Sequence, residues 1–165
     1  RPAGVEDPYA LLRNCGGQLT TGTPDVCRLS TRAGRSASVL LDFGKELGGG
    51  SALSAAIRAD QRALKVRIRL GESVSEAMSD VGGDAPMASA TNEHSLRDFT
   101  LGVPWLGNVE AGNSGFRFVR IDLVEPDAEL NLKAVRAIPR YRDVPYPGSF
   151  RCAADPLDRT WATGA

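Results

Sequence analysis

Glu93, His94 and Asp98 fall within the short stretch Thr91-Asn92-Glu93-His94-Ser95-Leu96-Arg97-Asp98, and His94 is the only histidine of the chain. An imidazole beside carboxylates could hydrogen-bond a ligand or move its protons. A loop histidine bonded to its own neighbours is the plainer alternative. Glu93 with Asp98, or Asp80 with Asp84, could form the acid and base of glycoside cleavage, although solvated loop charge explains them more simply. Asp80, Asp84 and Glu93 lack the tight alternate-residue loop of a hard-cation site, so no metal is expected. Pro104-Trp105-Leu106-Gly107-Asn108 is the best candidate for a sugar-stacking edge. An indole packs against the apolar face of a pyranose while an amide reads hydroxyls; the same Trp105 could instead cap one end of a core. The candidate ligand-binding residues are therefore Trp105, His94, Glu93 and Asn108.

The strong local signatures of catalysis are missing. There is no Gly-x-Ser-x-Gly elbow, phosphate loop, dinucleotide fingerprint or His-Glu-x-x-His helix. No catalytic residue and no cofactor are expected of this stretch alone. The 20 basic and 20 acidic residues cancel without a Lys/Arg block, which leaves nucleic acid and membrane surfaces without an electrostatic footprint. No run approaches the ~20 apolar residues that span a bilayer. The opening Arg1-Pro2-Ala3-Gly4 has no apolar signal core behind it, and a signal peptide could have been removed, so cytoplasm, periplasm and secretion all remain open. Cys15, Cys27 and Cys152 are an odd number without zinc-site spacing. They read as small buried thiols or, for Cys15 with Cys27, as a bridge closing the first hairpin of an exported protein.

The elements that must position these residues read as strands. Eighteen glycines and ten prolines punctuate short apolar runs, the rhythm of an all-β, antiparallel two-sheet β-sandwich of jelly-roll or galactose-binding-like type. Strands are expected over residues 37–43, 52–59 and 63–70, the last by strict alternation of Leu64, Val66, Ile68 and Leu70 with Lys65, Arg67 and Arg69. Another follows a Gly112-Asn113-Ser114-Gly115 turn through Phe116, Phe118, Ile121 and Leu123, its alternation slipping at Val119-Arg120 as a bulge would make it. Residues 130–138 come next, and residues 18–21 and 26–30 complete eight or more strands. Ser73 and Glu76 have capping-box spacing for a short helix. Residues 79–95 form a long polar loop.

Residues 139–154, with Tyr141, Tyr146 and Phe150, read as an extended linker. Residues 155–165 read as the first turns of a helix, with Asp155 as N-cap, Pro156 at the first helical position, and Leu157 and Trp161 on one stripe. A helix this short is marginal alone, so its stripe belongs against a partner. The expected organisation is a sandwich over residues 1–138, a linker over 139–154 and a helix leading to an absent catalytic domain. Tyr146, Phe150, Leu157 and Trp161 are the interdomain packing residues.

Leu41-Asp42-Phe43-Gly44-Lys45-Glu46-Leu47-Gly48-Gly49, Leu70-Gly71-Glu72-Ser73, Asn92-Glu93-His94-Ser95-Leu96-Arg97-Asp98 and Gly115-Phe116-Arg117-Phe118-Val119-Arg120, taken in order, resemble the N-terminal β-sandwich region of bacterial α-L-rhamnosidases and related glycosidases. Phe150-Arg151-Cys152 and Asp155-Pro156-Leu157 through Trp161 are similar to that family's passage into its helical barrel. The resemblance covers most of the chain from about Val39 onward. It implies an enzyme that hydrolyses terminal α-L-rhamnose with inversion, using acids on an (α/α)6 barrel that have no counterpart here. This chain would be its non-catalytic accessory sandwich, packing on that downstream domain of the same polypeptide and shaping access for rhamnose-containing glycans. The alternatives are a stand-alone carbohydrate-binding module and a protein-interaction sandwich.

Overall fold

The computed structural model describes residues 4–13, 25–32, 34, 36–79, 97–145 and 148–164. Among them seven antiparallel strands join in one hydrogen-bonded sheet. They are β1 (Val5–Glu6), β2 (Cys27–Ser30), β3 (Ala37–Ala55), β4 (Leu64–Gly71), β5 (Asp98–Val103), β6 (Gly107–Leu123) and β7 (Glu129–Pro139), in the order β1-β2-β7-β3-β6-β4-β5. A 3-10 turn (Pro8–Leu12) and the helices α1 (Val74–Met78) and α2 (Asp155–Gly164) accompany them.

The all-β antiparallel sandwich expected from the sequence is what forms, and two long strands let one sheet supply both layers. Residues 37–42 of β3 pair with residues 118–123 of β6, whose other neighbour is β4. Residues 47–55 of β3 pair instead with residues 107–116 of β6, and from Gly49 onward with β7 as well. Between the two arms, residues 43–46 stand opposite Arg117 alone, an irregularity that bends a paired ribbon. Gly44 takes a left-handed φ of 78° there, and its N–H donates to Asp42 Oδ1 at 2.7 Å. Val39, Ile121 and Leu123 from one arm and Leu53 and Ala55 from the other meet Leu29, Leu130 and Leu132 in a single buried core. In β4 the period of two holds: Leu64, Val66, Ile68 and Leu70 point inward while Lys65 is exposed.

Several boundaries differ from the sequence expectation. The strands expected over 37–43 and 52–59 are one strand, which stops at Ala55 and leads through a turn with Gln61 at a φ of 51°. The expected Gly112–Gly115 turn is the interior of β6; these residues pair with the glycine run of β3, and Gly112 takes a φ of 89°. The slip expected at Val119-Arg120 lies at Arg117, and the surplus residues belong to β3. Residues 18–21 lie outside the described residues. Ser73 caps α1 by accepting from the Glu76 N–H at 3.2 Å, while the Glu76 carboxylate reaches back to the Glu72 N–H at 2.8 Å. In α2 the first turn closes on the Ala154 carbonyl, which accepts from the N–H groups of Leu157 and Asp158; Asp155 is thus already helical.

Cys15 lies outside the described residues, whereas Cys27 is a free thiol with no exposed surface. Burial, and then the nearby charge of Asp7, lifts its pKa from the ordinary 9.0 to about 11. The folded protein holds a proton there that the unfolded chain releases. The contribution of this thiol to stability is therefore complete below about pH 9 and is lost as the pH climbs through about 11. We expect the melting temperature to decline across that alkaline window more steeply in the native protein than in Cys27→Ala, measured by circular dichroism.

Candidate functional site

Trp105 and Asn108 are brought together by the tight connection between β5 and β6. Only residues 104–106 separate the two strands, so the indole sits half-buried at one end of the sandwich with Asn108 exposed at the start of β6. β3 lies between β6 and β7 and aligns Ser54 with Asn108 on one side and Ala134 on the other; Ala52, two residues back along the strand, aligns with Glu110 and Arg136. This register makes a polar relay across three strands. Arg136 Nη2 donates to Ser54 Oγ at 3.3 Å, and Ser54 Oγ donates to Asn108 Oδ1 at 2.6 Å. Ser54 is buried and fixes the amide, while Asn108 and Arg136 stay exposed as groups that can meet hydroxyls. The arrangement can bind: an aromatic surface, a pinned amide and a guanidinium share one end of the fold.

Of the other residues singled out in the sequence, Glu93, His94, Asp80, Asp84 and Tyr146 lie outside the described residues. Asp98 is held at the β4–β5 pairing by Arg67, whose Nε donates to its Oδ1 at 2.7 Å and whose Nη2 donates to its Oδ2. That carboxylate is bound into the sheet. Phe150, Leu157 and Trp161 are 44%, 56% and 39% exposed, so the apolar stripe of α2 and the segment before it face water. Ser54 and Arg136 were not visible as site residues in the sequence, because only the three-strand register places them beside Asn108. Among the described residues no group of three or more His, Cys, Asp or Glu is placed to hold a metal ion. No described helix is long and apolar enough to cross a membrane.

No family model matches the chain. No curated protein matches it either. Among solved structures it is similar to a fucose-binding module of Streptococcus pneumoniae, at a TM-score of 0.51 and 15% identity over 86% of this chain and 93% of that one. It is also similar to a rhamnosidase from Klebsiella oxytoca with rhamnose bound, at a TM-score of 0.50 and 17% identity over 67% of this chain. This chain spans about a fifth of that rhamnosidase, 21% of its length. At such identities the shared property is the fold: an antiparallel β-sandwich that recurs as a nearly complete sugar-binding module and as one part of a much longer glycosidase.

Proposed function

We propose that this chain is a carbohydrate-binding β-sandwich serving as the non-catalytic accessory part of an α-L-rhamnosidase-like glycoside hydrolase. The observation that carries the reading is the double likeness of the fold, to a fucose-binding module over most of its length and to one fifth of a rhamnosidase chain. Rhamnose and fucose are both 6-deoxyhexoses, each with an apolar methyl and a ring of hydroxyls, and the Trp105–Asn108 edge suits that mixture. Exposed Phe150, Leu157 and Trp161 support packing on a helical catalytic domain of the same polypeptide, which would carry the acids that cleave the glycoside. In this role the sandwich holds or orients rhamnose-containing glycans near the entrance of the barrel.

Calorimetric titration with methyl α-L-rhamnoside and methyl α-L-fucoside tests the reading. Binding is expected without hydrolysis of aryl rhamnosides by this chain. Trp105→Ala is expected to weaken binding about tenfold, the ~1.4 kcal/mol of one good aromatic contact. Absence of heat for every sugar, or cleavage by the chain unaided, would sink it. The near-complete coverage of the fucose-binding module favours a second reading, a module that works alone. Under that reading, joining a helical barrel would leave the fluorescence of Trp161 unchanged, whereas docking would shift it to the blue.

A further inference from the structure

We propose that the cleft between β3 and the 3-10 turn is a second carbohydrate site, one that takes a single neutral pyranose by its apolar face. This inference rests on the carbohydrate-binding reading and adds a site that shares no residue with the Trp105–Asn108 edge.

The cleft has a volume of about 500 Å³, within the range of small-molecule sites. Its walls gather large apolar side chains that folding leaves in water. Tyr9 and Leu12 of the 3-10 turn are each 72% exposed, Met78 at the end of α1 is 47% exposed and Leu40 of β3 is 38% exposed. Apolar groups left exposed around one concavity mark a binding surface more than chance scatter does.

The polar groups beside them are held in place and have capacity to spare. Arg120 is locked to the buried Asp122 by Nε at 2.9 Å and Nη2 at 2.8 Å, while among the described residues its Nη1 meets the Met78 sulfur alone, at 3.1 Å. A thioether is a weak acceptor, so a sugar oxygen would be the better partner. Asp42 accepts from Arg117 Nε and Nη2, both at 2.8 Å, and from the Gly44 N–H at 2.7 Å. These bonds, those of Arg117 first, hold its pKa down from 3.8 to about 2, so it presents an ionised acceptor. Ser38 lines the same cleft. Residues 37–42 also form a strand edge: β6 pairs one side, and among the described residues no strand pairs the other. Main-chain N–H and C=O groups therefore open into the cleft.

Charge selects the ligand class. The two charged residues that line the cleft, Asp42 and Arg120, are opposite in sign, and each is ion-paired, Asp42 with Arg117 and Arg120 with an Asp122 that it shares with Arg69, so the lining itself carries no net charge that would favour a phosphate or a carboxylate. What remains is an apolar wall, an aromatic ring and hydrogen-bonding groups of balanced charge, the needs of a polyol with one apolar face.

Titrating isotopically labelled protein with methyl α-L-rhamnoside, methyl α-L-fucoside and methyl α-D-glucoside, followed by NMR, tests the site. Resonances of Tyr9 and residues 38–42 should move with saturation, on a curve separate from that of residues 105–110. Tyr9→Ala, which removes a ring with little packing, should weaken the cleft response at least tenfold and leave the other curve unchanged. Leu40→Arg, which fills the cleft, should do the same, and both variants should keep the native far-UV spectrum. Sugar shifts confined to residues 105–110 would overturn the second site while leaving the carbohydrate reading intact. Shifts in neither place would overturn both, and shifts at the β3 edge with an unstructured peptide but with no sugar would overturn the ligand class.

Discussion

Asp122→Ala is expected to destabilise the fold by about 3–5 kcal/mol, the usual consequence of stripping one partner from a buried ion pair. Asp122 and Arg69 are each only 6% exposed. The carboxylate accepts from Arg69 Nη2 at 2.8 Å through one oxygen and from Arg120 Nε at 2.9 Å through the other. Arg69 has little else to compensate it. Its Nη1 reaches the Ser79 carbonyl at 2.9 Å, and its buried Nε has no partner among the described residues. Without Asp122 a guanidinium would stay in the protein with its charge unanswered, a cost comparable to much of the ~5–15 kcal/mol that holds a domain folded. Asp122→Asn keeps the shape and loses the charge, so it should fall between. Urea unfolding measures this directly: the midpoint should drop with the slope preserved, and a loss below about 1 kcal/mol would show that water or neighbouring carbonyls take over the role of the carboxylate.

Phe116→Ala should cost a similar ~3–5 kcal/mol by a different route, cavity formation. Among the described residues Phe116 is the largest side chain with no exposed surface. Its ring meets Phe43 edge-on, with centroids 5.8 Å apart and planes at 89°. It also pairs with Leu47 at the point where the β3–β6 register resumes, so it packs the bend between the two arms. Phe116→Leu, which retains most of the volume, should lose less than half as much. If both variants unfold at the wild-type denaturant concentration, the ring is not a part of the packed core.

Much of this fold is legible in the sequence, and the exceptions share a cause. The alternation of β4 is unmistakable because Leu64, Val66, Ile68 and Leu70 fill the core face while Lys65, Arg67 and Arg69 take the other. Glycine is harder to read, since the residue that permits a turn also permits two backbones to approach closely. Gly48-Gly49-Gly50 and Gly112 look like punctuation but lie inside the longest strands, where a side chain on Gly49 would strike the Ile138 carbonyl and one on Gly50 the Gly112 carbonyl. Asp122 falls on the outward face by period, and it is buried because Arg69 spans from it to the end of α1. The site divides in the same way. Trp105 and Asn108 are near neighbours in the chain and could be paired by inspection. Ser54 and Arg136 reach them only through the β6–β3–β7 register, and the cleft takes its walls from the 3-10 turn, β3 and α1 together.

The ribbon of β3 and β6 also governs how this protein is made. Ala55 pairs with Gly107 and Ala37 with Leu123, so no rung of the central ladder joins residues that leave the ribosome close together. Synthesis must proceed past β6 before β3 has its partner, and pairing across such distances is slow. Throughout that wait the nascent chain carries β3 unprotected. Its second arm, Gly-Gly-Gly-Ser-Ala-Leu-Ser-Ala from Gly48, is nearly bare of the bulky side chains that drive cross-β association, so while it waits this arm offers other nascent chains little to adhere to.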